Sequence, residues 1–225
     1  MIFLFGTRSS ELYPPPKPRM ERLRFLVEKE GEKRLLSVKE LEEEFQVKYI
    51  PQLDFSRVEL FRRLANKSAK FLKMGYLDDE QIWLGSYFEK EIFEAPLPPV
   101  SLRWIDEELG WGVFAERDLH QMEYIGEYAG LVRKRKRSDY KNSYCFEMVL
   151  AAGESTRYTI DALDQGGITR FINHSSTPNL THALATVRDL PHVILFVTKF
   201  VPKGEQLCYD YGADYWKKRN QPKQL

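Results

Sequence analysis

Three prolines in five residues, Pro96, Pro98 and Pro99, divide this 225-residue chain into two textures. Proline has no backbone N–H and a fixed φ, so neither a helix nor a central strand continues through that stretch. Before it, apolar residues recur at helical spacing. Ser37-Val38-Lys39-Glu40 has the form of a capping box ahead of Leu41 and Phe45. Ser56-Arg57-Val58-Glu59 has the same form ahead of Val58, Phe61, Leu64, Ala65 and Leu72, with Gly75 as the stop. Asp78-Asp79-Glu80-Gln81 opens a third helix in which Leu84, Phe88 and Ile92 recur every fourth residue. Residues 20–95 are therefore expected to be mostly helical, with their apolar faces forming core. Upstream, Pro14, Pro15, Pro16 and Pro18 mark a loop. Met1–Phe5 is too short and too poor in basic residues for a signal peptide, and reads as a buried first strand.

After Pro99, short runs rich in Val, Ile, Phe and Tyr alternate with Gly, Pro, Asp and Asn. This pattern predicts strands at Gly112–Ala115, Tyr124–Tyr128, Tyr144–Leu150, Tyr158–Ile160, His192–Val197 and Gln206–Tyr209. No apolar run approaches the ~18 residues that span a bilayer. The two cysteines, Cys145 and Cys208, form no CxxC pair, and His120, His182 and His192 share no ligand spacing, so no metal is expected. The net charge of +1 leaves any nucleic-acid or acidic partner to a local patch.

Five short segments could carry chemistry. Gly110-Trp111-Gly112-Val113 lets a ligand approach the backbone, or makes a tight turn. Gly126-Glu127-Tyr128 puts a tyrosine at a strand end. Arg133–Arg137 is five consecutive cations: a solvated face, a nucleic-acid patch or a site for an acidic flank. In Arg170-Phe171-Ile172-Asn173-His174-Ser175-Ser176-Thr177-Pro178-Asn179, the Asn-His pair can read an adenine edge or tie two loops together. Tyr209-Asp210-Tyr211-Gly212 ends a strand that delivers two tyrosines to one face, because side chains alternate with period two.

In this order, and with Tyr158-Thr159-Ile160-Asp161-Ala162 between them, the segments over residues 98–216 resemble a SET-domain protein lysine methyltransferase. The resemblance implies an α+β fold: a mainly-β SET domain of small twisted sheets (98–216), with pseudoknot-like threading of its C-terminal segment past the Asn-His motif. A largely helical region (1–97) precedes it and a basic tail (217–225) follows. The implied methyl donor is S-adenosylmethionine, with the target lysine entering from the opposite face.

By position, Gly110, Trp111, Gly112, Tyr144, Arg170, Asn173 and His174 match the family's cofactor pocket. Tyr211 matches its catalytic tyrosine. Tyr128 and Tyr209 match the walls of the lysine channel, Tyr128 being placed with the catalytic pair. A tyrosine at the position of Tyr209 favours mono- or dimethylation. Many chromatin members carry a zinc-binding cysteine in the place of Ser176 and more downstream. Their absence here resembles compact bacterial or viral forms, and leaves Tyr215 or Trp216 to close the site as an aromatic lid.

The implied partner is a histone or histone-like basic protein. Arg133–Arg137 offers an indirect nucleic-acid contact, no membrane is involved, and the helical region could support a homodimer. The expected setting is soluble and intracellular, nuclear or nucleoid-associated, with secretion into a host cell left open. Two other readings compete: a non-catalytic SET-like module that binds a protein, and a nucleic-acid-associated protein using the basic run.

Overall fold

The chain's alternation begins earlier than the helical pattern suggests. Phe25 and Val27 point inward from β1 (Phe25–Lys29), and Glu30 and Gly31, with φ of 54° and 84°, turn the chain into β2 (Glu32–Leu36). Two successive positive φ values match the twist of a two-residue hairpin. This computed structural model describes residues 20–151, 153–217 and 219. The strand expected at Met1–Phe5, the loop through Pro18, and Lys218 and Lys223 of the tail lie outside the described residues. Residues 25–36, expected to be helical, are thus a β-hairpin: a Glu-Gly turn after the alternating Phe25–Lys29 outweighs weak helical spacing.

The helices follow. Ser37 caps α1 (Val38–Phe45) with a full capping box, its backbone N–H donating to Glu40 at 2.7 Å. β3 (Lys48–Tyr49) and β4 (Asp54–Phe55) are two-residue strands before α2 (Val58–Lys73). Ser56 does not cap α2; the N-cap is Arg57, which makes no side-chain cap. At the other end the expected glycine stop is complete. Gly75 has φ 69°, its N–H donates to Leu72 O, and Tyr76 N–H donates to Phe71 O while the two rings meet at 5.7 Å. Asp78 caps α3 (Asp79–Tyr87), and the helix breaks at Phe88 before α4 (Glu89–Glu94), so one expected helix is two.

Residues 100–216 carry β5 (Val100–Asp106), β6 (Gly110–Ala115), β7 (Tyr124–Glu127), β8 (Leu131–Lys134), β9 (Cys145–Val149), β10 (Ser155–Asp161), β11 (Gln165–Gly166), β12 (Asn173–His174), β13 (Leu180–Val187), β14 (Leu190–Val197), β15 (Gln206–Tyr209) and a short α5 (Ala213–Trp216). Every strand expected after Pro99 is present, its ends within three residues of the expected ones. They form small sheets in the orders β12-β15-β6-β5-β1-β2, β4-β8-β10-β9, β13-β14-β7 and β11-β3. The fold is α+β. Among the described residues no helix is long and apolar enough to cross a membrane.

The helical region shares the core of the sheets. β1 runs parallel to β5, with Val27 opposite Leu102, and Phe25, Val27, Leu41, Leu53 and Leu64 pack in one cluster with Leu102, Ile125, Ile160 and Leu195. A buried carboxylate joins the two parts: Glu127 accepts from Leu53 N–H at 3.2 Å and meets His192 Nδ1 at 2.6 Å. Leu84, Phe88 and Ile92 form a second cluster against Ala185, Val187, Ile194 and Phe196.

α3 lies so close to β13 that Gly85 has no room for a side chain. A Cβ there would sit 2.0 Å from Thr186 O and 2.7 Å from Thr186 C, both backbone atoms that cannot swing away. Gly85→Ala is expected to lower stability by about 1–3 kcal/mol despite the better helix propensity of alanine. Denaturant unfolding checks this; an unchanged or raised midpoint would contradict the packing.

Candidate active site

β15 is four residues long and cannot hold its own position. It lies between β12, which it pairs in parallel (Asn173 with Cys208, His174 with Tyr209), and β6, which it pairs antiparallel (Gln206 with Phe114). Buried Asn179 fastens it further. Its amide donates to Gln206 O at 2.8 Å and to Glu205 Oε1 at 3.0 Å, and its carbonyl accepts from Cys208 N–H at 2.9 Å. The C-terminal segment thus passes between the Asn-His segment and the Gly-Trp-Gly strand, two regions some sixty residues apart in sequence.

Both motif residues hold this junction. Asn173 Nδ2 donates to Trp111 O at 3.2 Å. His174 Nδ1 accepts from Tyr211 N–H at 3.1 Å, which requires its proton on Nε2. Tyr209 and Tyr211, two residues apart, stand side by side with ring centroids 4.8 Å apart. The Tyr211 hydroxyl donates to Ile172 O at 2.8 Å, and the Tyr128 hydroxyl to Tyr144 O at 3.1 Å. Each hydroxyl is pinned to a carbonyl, leaving its oxygen lone pairs to accept. Burial is the main cause that pushes all three phenols well above their ordinary pKa, so none is a phenolate at neutral pH.

These residues face one cleft of about 1320 Å³, shared by Gly110, Trp111, Tyr128, Tyr144, Arg170, Asn173, His174, Tyr209, Tyr211 and Trp216. Arg170 is held by carbonyls of Ala162 (2.8 Å) and Leu163 (3.2 Å), and its guanidinium lies 4.1 Å from the centre of the Tyr144 ring. Gly112, expected in the same set, does not line the cleft. The space beside its Cα is taken by Gln206 Nε2 and Ile105 Cδ1, the ends of two flexible side chains, each 2.8 Å from where a Cβ would be.

Two wall residues were not singled out by sequence. Tyr128 meets Phe146 at 5.1 Å, Phe146 meets His182 at 5.2 Å, and His182 meets Tyr209 at 5.7 Å. With Tyr211 they make a continuous aromatic wall from β9, β13, β15 and the end of β7. The only sequence signal for His182 was its lack of ligand spacing.

The C-terminal turn covers one side. Trp216 stacks on Tyr211 with planes 7° apart, and Tyr215 packs edge-on against both. Arg219 lies over Tyr215 at 4.1 Å and reaches across the cleft to Asn142 O at 3.0 Å.

The basic run is not uniform. Arg133 is bound by Asp139 (2.8 Å) and Asp161 (2.7 Å), and Arg135 by Glu147 (2.6 Å). Lys134, Lys136 and Arg137 remain exposed. Burial raises the pKa of Cys145 and Cys208 to about 11, so both are thiols at neutral pH. Among the described residues no group of three or more His, Cys, Asp or Glu is placed to hold a metal.

Asn179→Ala removes three side-chain bonds and strands a buried Cys208 N–H. It is expected to cost about 2–4 kcal/mol and to loosen β15 before the rest of the sheet. Amide hydrogen exchange that stays protected at residues 206–211 in the variant would contradict the role given to Asn179.

Residues 110–212 match the SET domain family. The chain is similar to the mouse histone-lysine N-methyltransferase EHMT1 (34% identity over 116 residues, 49% of this chain and 9% of the relative). It is also similar to Su(var)3-9 of Drosophila melanogaster, a histone-lysine N-methyltransferase (33% over 114 residues, 45% and 18%). The chain thus spans less than a fifth of either relative. Solved structures similar to it include KRYPTONITE in complex with mCHH DNA, an H3(1-15) peptide and SAH (28% identity, TM-score 0.45, 55% of this chain and 25% of that one). Another is SUVH6 of Arabidopsis thaliana in complex with SAM (30%, TM-score 0.45, 51% and 27%). The match to the SET domain thus covers residues 110–212, a little under half of the chain.

Proposed function

We propose that this chain transfers methyl groups from S-adenosylmethionine to lysine side chains of proteins, with histone or histone-like basic proteins as substrates. The observation that carries this reading is the meeting of Tyr128, Tyr209 and Tyr211 in one aromatic cleft that Asn173 and His174 also line. The names of the relatives support the activity, and the SAM and SAH of the similar structures support the donor.

The residues present fit such a cofactor. The cleft exceeds the roughly 300–1,000 Å³ of drug-sized pockets, so a nucleoside and a lysine side chain have room together. Trp216 Nε1 is a buried donor with no hydrogen-bond partner among the described residues. Gly110, Trp111, Tyr144, Arg170, Asn173, His174 and Trp216 would hold the cofactor, with Trp216 and Tyr215 as the covering lid. Bound there, it supplies an electrophilic methyl group on a cationic sulfonium.

The protein's own share is alignment and desolvation. A lysine must be neutral to attack, against a reference pKa of about 10.4. An aromatic channel that excludes water disfavours the ammonium form. Because the Tyr211 hydroxyl spends its proton on Ile172 O, its oxygen accepts from an amine N–H and turns the amine lone pair toward the methyl carbon. Tyr128 does the same from the other side, through its bond to Tyr144 O. Tyr209 is buried against Tyr211, and this crowding favours mono- or dimethylation.

Tyr211→Phe is expected to cut methyl transfer to core histones by about 10²-fold or more while calorimetric binding of S-adenosylmethionine changes little. Full activity in the variant would overturn the assignment. Tyr209→Phe opens the channel and is expected to shift the product toward higher methylation states. Mass spectrometry showing the same product distribution would count against the crowding argument.

A further inference from the structure

The aromatic wall contains one member that is neither apolar nor a phenol. His182 stands on β13, between Phe146 of β9 and Tyr209 of β15, both edge-on to it (75° and 72°). Its cross-strand neighbour on β14 is Leu195, which brings no charge. The ring is exposed, but exposed into the cleft rather than onto a convex surface. Water reaches its edge while the walls desolvate its face.

We propose that His182 is a substrate-positioning residue: its neutral imidazole accepts a hydrogen bond from the incoming lysine nitrogen, and its protonated form repels that nitrogen. This rests on the methyltransferase reading above.

Geometry supplies the first part. The wall runs unbroken from Tyr128 through Phe146 and His182 to Tyr209 and Tyr211, so a side chain moving along it toward the Tyr211 hydroxyl passes the imidazole. A neutral imidazole always has one nitrogen that accepts. Phe146 offers no acceptor, and Tyr128 and Tyr211 orient their hydroxyls by donating to carbonyls.

Electrostatics supplies the second. Desolvation lowers the pKa of His182 below its ordinary value; the carboxylate of Asp210, largely exposed, opposes this without overcoming it. The Tyr209 phenol beside it stays neutral. His182 is therefore uncharged at neutral pH and gains a proton only in acid. That proton places a cation on the wall of a channel meant for a cationic side chain, where the low dielectric strengthens repulsion.

The test is the pH dependence of methyl transfer from labelled S-adenosylmethionine to core histones, from about pH 5 to about pH 8. Wild type, His182→Asn and His182→Phe are compared, with thermal melting to confirm that each is folded. All forms are expected to lose rate in acid as the substrate lysine protonates, and wild type to lose kcat/KM by a further factor of about ten per pH unit below the His182 midpoint. Both variants lose that extra steepness, and Asn retains more of the neutral-pH rate than Phe because it still accepts a hydrogen bond. An acid limb unchanged in both variants overturns the inference and leaves the methyltransferase reading standing. No transfer by the folded wild type at any pH sinks both. A second measurement needs no variant: an NMR titration of the histidine rings of the wild type. A His182 midpoint at or above about 6.5 overturns the inference.

Discussion

Everything at the cleft depends on β15 lying between β12 and β6. Its four residues pair with one strand on each side and are clamped by a side chain, Asn179, that belongs to neither. A parallel pairing between segments more than thirty residues apart requires closing a long loop before any bond forms, so it is costly by itself. Once made, it fixes several things together. Tyr211 N–H finds His174, its hydroxyl finds Ile172 O, and Tyr209 turns toward His182. Local preference does not set these positions. They follow from where one strand is inserted.

The same logic explains which parts of the structure could be read in the sequence. Strands and caps are local, and they were legible: β15 matches its predicted range, and the Ser37 capping box and the Gly75 stop are both present. The hairpin at 25–36 was missed although its signal was local, a Glu-Gly pair after an alternating segment. Ser56 looked like a cap and is not one, because the chain enters α2 one residue later. In the site, the residues of the Asn-His and Tyr-Asp-Tyr motifs could be named from their order. Phe146 and His182 could not, because they reach the cleft only when β9 and β13 come from different sheets to one wall. Gly112 is the one member of the proposed cofactor set outside the cleft's lining, and its Cα faces the side-chain ends of Gln206 and Ile105.

Charge in this molecule is used mainly for tying elements together. Arg133 joins β8 to β10 and to the turn at Asp139, and Arg135 reaches across to Glu147 on β9. Glu127, buried with His192, holds the backbone of Leu53. Such buried or half-buried pairs add little net stability when intact, but leave an uncompensated charge if one partner goes. Their main effect is to define which segments lie together, including the segment before the proline stretch and the sheets after it.

The parallel pairing of β1 with β5 has a consequence for where this protein can be cut. The family match starts at residue 110, and the proline stretch at 95–99 invites a boundary there. Yet without residues 25–36 the outer side of β5 would be an open sheet edge, with Leu102 uncovered and the donors and acceptors of Leu26 to Glu28 gone. Exposed edges of that kind recruit strands from other chains. The hairpin is therefore a cover as well as a lead-in, and a fragment cut at the proline stretch, which keeps β5 but loses β1, would be prone to self-association through that edge.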